Sequence, residues 1–288
     1  MWCADNWRDY ELLDTSDGER LERWGDYILI RPDPQVIWRG CAASPLWKKA
    51  NGIYRRSSTG GGSWVKNTMP AEWHIGYGDR LRFVLRPMGF KHTGLFPEQA
   101  VNWSLAERLI KAENRPLSVL NLFAYTGAAS LACLKAGAKV THVDASKGMV
   151  QWAKENAAAS GLEKAPVRWL VDDCLKFVKR EIRRGNKYDA IIMDPPSYGR
   201  GPNGEVWKLE QQLTELLSET GRLLSDNAVF FFLNSYTGGL SPTILNYMVS
   251  RYVSKNKGGR VYTDEIGLYI TDKGISLPAG NTTIWTRE

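Results

Sequence analysis

Beyond residue 96 the chain alternates two kinds of apolar spacing. Val101, Leu105 and Leu109 recur at helical intervals and mark one face of a helix. Ser118-Val119-Leu120-Asn121-Leu122-Phe123 is instead a short apolar run, as expected of a strand buried on both faces. A turn through Thr126-Gly127 leads to a helix of small residues ending near Gly137, and strands are expected at 139–143, 167–171 and 190–193. Helices are expected between them at 149–159 and 174–184, then through Leu209, Leu213, Leu216 and Leu217. Residues 228–233 form the most hydrophobic strand candidate of all. This alternation predicts an α/β domain with a doubly wound, Rossmann-like parallel sheet covered on both faces. Over 261–285, β-prone pieces flank the turns Lys273-Gly274 and Ala279-Gly280-Asn281, and an antiparallel edge to the same sheet is expected there.

The first part of the chain reads differently. Short β-prone pieces, Tyr27-Ile28-Leu29-Ile30, Val36-Ile37-Trp38 and Arg82-Phe83-Val84-Leu85, are separated by turn signals at Pro32-Asp33-Pro34, Asn51-Gly52, Gly60-Gly61-Gly62 and Gly78-Asp79. Tryptophan is dense here, at positions 2, 7, 24, 38, 47, 64 and 73. Core packing is the ordinary use of such rings, base stacking the functional one. A small, mainly antiparallel β-rich domain over 1–95 is expected, followed by a cofactor-binding domain over 96–288.

Composition narrows the function classes. Of 288 residues 43% are hydrophobic and 24% charged, the balance of a folded globular protein rather than a disordered one. Cys3, Cys41, Cys133 and Cys174 are scattered, as are His74, His92 and His142, so neither a disulfide framework nor a metal site is expected. No apolar stretch reaches membrane-spanning length, and the opening residues lack the basic and apolar regions of a secretory signal; a cytoplasmic protein without a membrane partner is expected. The net charge of +7 favours a polyanionic partner. Arg55-Arg56, Lys179-Arg180, Arg183-Arg184 and the stretch 255–260 suit an RNA backbone, and suit a solvated surface equally well.

In an open α/β sheet ligands sit beyond the carboxyl ends of the strands. Here the first strand is followed by Phe123-Ala124-Tyr125-Thr126-Gly127, the second by Asp144-Ala145-Ser146, the third by Asp172-Asp173 and the fourth by Asp194-Pro195-Pro196-Ser197-Tyr198. A glycine turn, an acid, an acid and an acid-proline-proline in that order are far more specific than any one of them. Gly127 lets the backbone turn tightly, with helix amides beyond it able to meet a carboxylate. Asp144 falls where a carboxylate can accept from both hydroxyls of a ribose.

Leu120-Asn121-Leu122-Phe123-Ala124-Tyr125-Thr126-Gly127, Val143-Asp144-Ala145-Ser146-Lys147 and Asp194-Pro195-Pro196 resemble the first, second and fourth motifs of class I S-adenosylmethionine-dependent methyltransferases. Within that superfamily the segment 90–233 is most similar to bacterial large-subunit (23S) ribosomal RNA methyltransferases that modify cytosine C5 or guanine N7. Gly94-Leu95-Phe96-Pro97-Glu98-Gln99 resembles a variant of a segment that precedes the first motif in that group. The resemblance implies an enzyme using S-adenosyl-L-methionine. It implies Phe123, Thr126 and Gly127 at the methionine end of the cofactor, Asp144 at the ribose, Asp173 or its neighbour Asp172 at the adenine, and Ala124, Ala145 and Asp194 among the cofactor-binding residues as well. Asp194, Pro195, Pro196 and Tyr198 would stand on the methyl-acceptor side.

The chain departs from the cytosine-C5 branch, whose members attack the base with a cysteine near the fourth or fifth strand end. Those ends here read Asp194-Pro195-Pro196-Ser197 and Leu233-Asn234-Ser235-Tyr236, and Cys174, after the third strand, is expected to be a buried, inert thiol. A nucleobase nitrogen is therefore the expected acceptor, in RNA and ribosomal RNA first, because an exocyclic amine can donate to the Asp194 carboxylate and the Pro195 carbonyl. Tyr198 follows Ser197 rather than the second proline, and Lys208 is a candidate substrate or phosphate contact. A nicotinamide-dependent dehydrogenase would need a glycine pattern that Ala124-Tyr125-Thr126-Gly127-Ala128-Ala129 lacks. Methylation of a protein or small molecule is the runner-up, and a non-catalytic RNA-binding protein of the same fold is a third reading.

Overall fold

A computed structural model describes residues 1–57, 61–79, 81–200 and 206–287, so Gly60 of the expected glycine turn lies outside the described residues. The chain forms two compact units. One comprises Met1–Ala100, Ala159–Gly161 and Gly267–Ala279; the other comprises Val101–Ala158, Leu162–Ile266 and Gly280–Glu288.

The second unit is built on strands β1 (Ser118–Leu122), β2 (Lys139–Asp144), β3 (Val167–Val171) and β4 (Ala190–Met193). A short hairpin of β5 (Tyr198–Arg200) and β6 (Val206–Lys208) follows, then β7 (Phe230–Ser235) and the parts outside Gly267–Ala279 of β8 (Arg260–Ile270) and β9 (Ile275–Thr286). The sheet order is β3-β2-β1-β4-β7, all parallel, with β9 antiparallel beside β7 through Thr286 to Asn281. All four residues of β4 and all six of β7 are buried, which is why Ala190–Met193 and Phe230 to Leu233 read as unbroken apolar runs.

Helices α1 (Ala100–Ala112), α2 (Ala128–Lys135), α3 (Lys147–Ala159), α4 (Cys174–Arg183), α5 (Leu209–Gly221) and α6 (Pro242–Val249) complete the alternation. Two of them start on side-chain caps. The Asp173 carboxylate accepts the Lys176 N–H at the head of α4, and Ser241, with Pro242 behind it, opens α6. Phe177, Leu213, Leu216, Leu217, Phe231 and Trp285 belong to one continuous core cluster.

The first unit is β-rich. Tyr10–Ser16, Glu19–Trp24 and Tyr27–Pro32 form an antiparallel meander, extended by Gly52–Arg56 and Gly62–Asn67. Trp73–Tyr77 and Leu81–Leu85 form a separate hairpin. The first meander turn is Asp17-Gly18, both at positive φ (54° and 80°), the backbone that a tight hairpin of right-twisted strands requires. Trp24 and Trp73 are buried and pack edge-on against Tyr10 and Tyr27. Glu22 lies fully buried, taking Arg31 Nε at 2.6 Å and Nη2 at 2.8 Å.

One expected strand is absent. Val36-Ile37-Trp38 pairs with nothing as a ladder, because Asp33 takes the Gln35 N–H on its carboxylate and the Val36 N–H on its carbonyl. A local turn competes successfully with β-branched propensity there. The segment Gly94 to Gln99 runs into a 3₁₀ turn at Pro97–Gln99, all three of whose residues are buried.

Candidate active site

The strand register sets out the site. Leu122 pairs with Val143 and with Met193, Val143 pairs with Leu170, and Met193 pairs with Leu233, so these five residues form one row across the parallel sheet. The next residue of each strand is Phe123, Asp144, Val171, Asp194 and Asn234. Parallel pairing brings all five to the same carboxyl edge of the sheet.

The loop after β1 has an unusual backbone. Phe123, Tyr125 and Gly127 adopt positive φ, at 54°, 50° and 87°. Side-chain-bearing residues seldom do so, and such conformations persist where surrounding contacts impose them. The contacts are visible. The Phe123 N–H donates to the Cys174 sulfur at 3.2 Å, the Ala124 N–H to the Val143 carbonyl at 3.1 Å, and the Tyr125 N–H to Asp144 Oδ2 at 2.8 Å. Buried Thr126 gives its carbonyl to the Asn156 amide at 2.8 Å. At Gly127 a Cβ would lie 2.9 Å from that of Ala153 on α3, so glycine is required both for φ and for the approach of that helix. Beneath the loop, Asn121 donates to Ser130, whose hydroxyl lies 3.0 Å from His142 Nδ1. Burial lowers the pKa of His142 to about 3, so this imidazole is neutral.

Asp144 holds a second amide, the Ser146 N–H, on Oδ1 at 2.8 Å. Burial raises its pKa, and the Ser146 and Tyr125 amides oppose that rise. Each carboxylate oxygen has a further lone pair, the right inventory for a vicinal diol. Ala145 beside it is exposed. The two acids after β3 diverge: Asp172 is ion-paired with Arg180, whereas exposed Asp173 uses Oδ1 as the cap of α4. Cys174 is 4% exposed, and burial holds its thiol pKa far above the usual range, so it supports the Phe123 amide and is no nucleophile at neutral pH.

After β4, Asp194 is half-buried, Pro195 buried and Pro196 exposed. The chain then turns into the β5–β6 hairpin, where Tyr198 stands opposite Lys208 and Gly199 opposite Trp207. Cross-strand partners share a face, so Tyr198, 52% exposed, and Lys208 present an aromatic ring and an ammonium group side by side. Trp207 occupies the other face, and sequence reading gave it no role.

Asn234 was likewise unassigned. Buried at the end of β7, it donates to the Met193 carbonyl at 3.4 Å and accepts from Asn102 at 2.8 Å. Its only sequence signal is that it is the first polar residue after the longest apolar run. Among the described residues, no group of three or more His, Cys, Asp or Glu is arranged to hold a metal ion, and no helix is long and apolar enough to cross a membrane.

The arrangement offers a strained loop tied to its neighbours that leads into the helix start at Ala128, a carboxylate suited to a diol, an acid at the head of α4, and an acid-proline-proline turn rich in acceptors. Comparison with known proteins agrees with that inventory. A family described as S-adenosylmethionine-dependent methyltransferase matches residues 41–234. A ribosomal RNA large subunit methyltransferase K/L from Shewanella frigidimarina is 37% identical over 156 residues, 54% of this chain and 21% of that protein. The match thus spans about a fifth of the length of this curated relative. The crystal structure of an S-adenosylmethionine-dependent methyltransferase from Agrobacterium tumefaciens superposes over 100% of this chain and 93% of its own, with TM-score 0.92 and 36% identity. A protein from Streptococcus mutans shares the fold over 98% of this chain and 76% of its own, with TM-score 0.73 and 18% identity.

Proposed function

Since the chain belongs to the S-adenosylmethionine-dependent methyltransferase family, we propose that it methylates a nucleobase nitrogen in RNA, ribosomal RNA first. The observation that carries this reading is the single row of strand ends, which brings the Phe123–Gly127 loop, Asp144 and Asp194 to one edge of the sheet. The helix start at Ala128, just beyond the loop, suits the carboxylate of a bound amino acid moiety. Asp144 suits the ribose, and Asp173, whose capping bond uses one oxygen, suits an adenine amino group. S-adenosylmethionine, when bound, supplies a sulfonium methyl group.

On the acceptor side, Asp194 and the Pro195 carbonyl would receive the two N–H groups of an amine and aim its lone pair at the methyl carbon. Proline contributes no N–H, so this turn offers acceptors. The work of these residues is alignment, which alone is worth roughly 7 kcal/mol or more of barrier in good cases. Tyr198 would stack on the target base and Lys208 pair with a neighbouring phosphate, the chemistry by which single-stranded RNA is gripped.

The reading is tested by incubating the protein with labelled S-adenosylmethionine and either ribosomal RNA lacking native modifications or a protein extract. Label should enter RNA and be recovered as an N-methylated base after nuclease digestion. Label in protein alone, or in 5-methylcytosine, would overturn the substrate assignment.

A further inference from the structure

Trp207 belongs to neither of the loops it touches. Its indole N–H donates to the Pro196 carbonyl at 2.6 Å, and its ring lies against that of Phe123, centroids 5.4 Å apart and inclined at 50°. Phe123 is the first of the positive-φ residues after β1, and Pro196 ends the acid-proline-proline turn after β4. One side chain, carried on the β6 strand of the hairpin, therefore bridges the proposed cofactor side and the proposed acceptor side.

The chemistry of the turn makes this bridge consequential. In Pro195-Pro196 both φ angles are locked by the rings, so ψ is the only soft backbone torsion left at each. The hydrogen bond from Trp207 fixes the direction of the Pro196 carbonyl, and the next carbonyl, that of Ser197, is taken by the Leu209 N–H at 3.1 Å. Two successive carbonyls of the turn are thereby committed within the protein. Gly199 stands across the hairpin from Trp207, and Tyr198 and Lys208 project from the opposite face.

We infer that Trp207 is a positioning residue: it sets the acceptor turn against the Phe123 loop and so holds the incoming amine in line with the methyl group. The inference rests on the methyltransferase reading for its consequence, but the tie itself is independent of it. Two variants separate the ring from the N–H. Trp207→Phe keeps an aromatic contact to Phe123 and loses the hydrogen bond; Trp207→Leu loses both.

Hydrogen–deuterium exchange on the protein without ligand reads the tie directly. In Trp207→Leu the amides of both Phe123–Gly127 and Ser197–Tyr198 should exchange at least about tenfold faster, while those of α4 are unchanged; in Trp207→Phe only the second segment should respond. With labelled S-adenosylmethionine and unmodified ribosomal RNA, Trp207→Phe should lose at least about tenfold in kcat. Its KM for the methyl donor and its Kd for S-adenosylhomocysteine should stay within about twofold. Unchanged exchange in both loops of Trp207→Leu, or full kcat in Trp207→Phe, overturns the inference. A wild-type protein that binds no S-adenosylhomocysteine sinks the methyltransferase reading instead, and the exchange result then still decides the tie.

Discussion

Asp144 Oδ2 accepts the backbone N–H of Tyr125 at 2.8 Å, joining the end of β2 to the strained loop after β1. Tyr125 has φ of 50°, so the carboxylate proposed to hold the ribose also holds the loop proposed to hold the rest of the cofactor. Replacing Asp144 by Ala should therefore do more than delete one ligand. Hydrogen bonds to a charged group contribute roughly 1.5–3 kcal/mol each, so the affinity for S-adenosylhomocysteine should fall at least about 100-fold by titration calorimetry. Unaltered affinity would remove Asp144 from the site.

The direction of its pKa shift adds a pH signature. Burial raises Asp144 above its ordinary 3.8, so in the free protein the proton is held to a higher pH than in the unfolded chain. The diol-accepting carboxylate is then lost earlier on acidification. Affinity for S-adenosylhomocysteine should decline as pH falls through this raised value, and the decline should be absent from what little binding Asp144→Ala retains. A midpoint at or below 3.8 would contradict the burial on which the shift depends.

How much of this was legible beforehand depended on the kind of interaction. The parallel strands were read because burial on both faces leaves unbroken apolar runs such as Phe230 to Leu233, and a run needs no knowledge of its partner. Tyr10–Ser16 went unread because Asp14, Thr15 and Ser16 interrupt the alternation. Asp14 is nevertheless fully buried: its Oδ2 takes the amides of Ala43 and Ser44 and the Trp47 indole N–H, all from about 30 residues away in sequence. The positive φ of Phe123 and Tyr125 was invisible for the same reason, since neither residue type advertises it and Cys174 on α4 and Asp144 on β2 impose it from elsewhere in the chain. Trp207 could be read as an aromatic residue, but not as the partner of Phe123 and Pro196.

The cysteines offer a chemical check on the absence of a thiol nucleophile. Burial raises Cys133 to about 12 and Cys174 further still, whereas Cys41 is exposed. Iodoacetamide at pH 8 should label native Cys41 first and leave Cys133 and Cys174 unmodified until the protein is unfolded. Cys174→Ala should keep kcat within about threefold, its cost being the lost bond to the Phe123 amide. Abolished turnover with intact cofactor affinity would reinstate a covalent route.

Acid stability of the first unit should track Glu22. Its pKa is lowered from 4.5 to about 2: burial pushes it up, but the Arg20 and Arg31 guanidiniums and the Tyr10 hydroxyl more than offset that. A folded value below the unfolded one means the contribution is complete above about 4.5 and drains away as pH falls toward about 2. Glu22→Gln leaves two buried arginines without their shared charge and should cost roughly 3–5 kcal/mol in denaturant unfolding at pH 7. The gap between wild type and variant should narrow at pH 3; a gap constant with pH would mean that lost packing, not charge, sets the cost.

Gly127 allows the two requirements on one residue to be separated. An alanine there faces the left-handed backbone, worth roughly 1–2 kcal/mol, and a Cβ contact of 2.9 Å with Ala153, and overpacking of that kind costs roughly 1–3 kcal/mol. Gly127→Ala should therefore lower Tm by several degrees. Ala153→Gly alone should cost about 1 kcal/mol through helix propensity. In the double variant the clash is gone while the φ strain stays, so the two substitutions should cost less together than the sum of their separate effects, by about the overpacking term. Strict additivity would show that α3 moves aside freely, and the close approach at Gly127 would then explain nothing about why this position lacks a side chain.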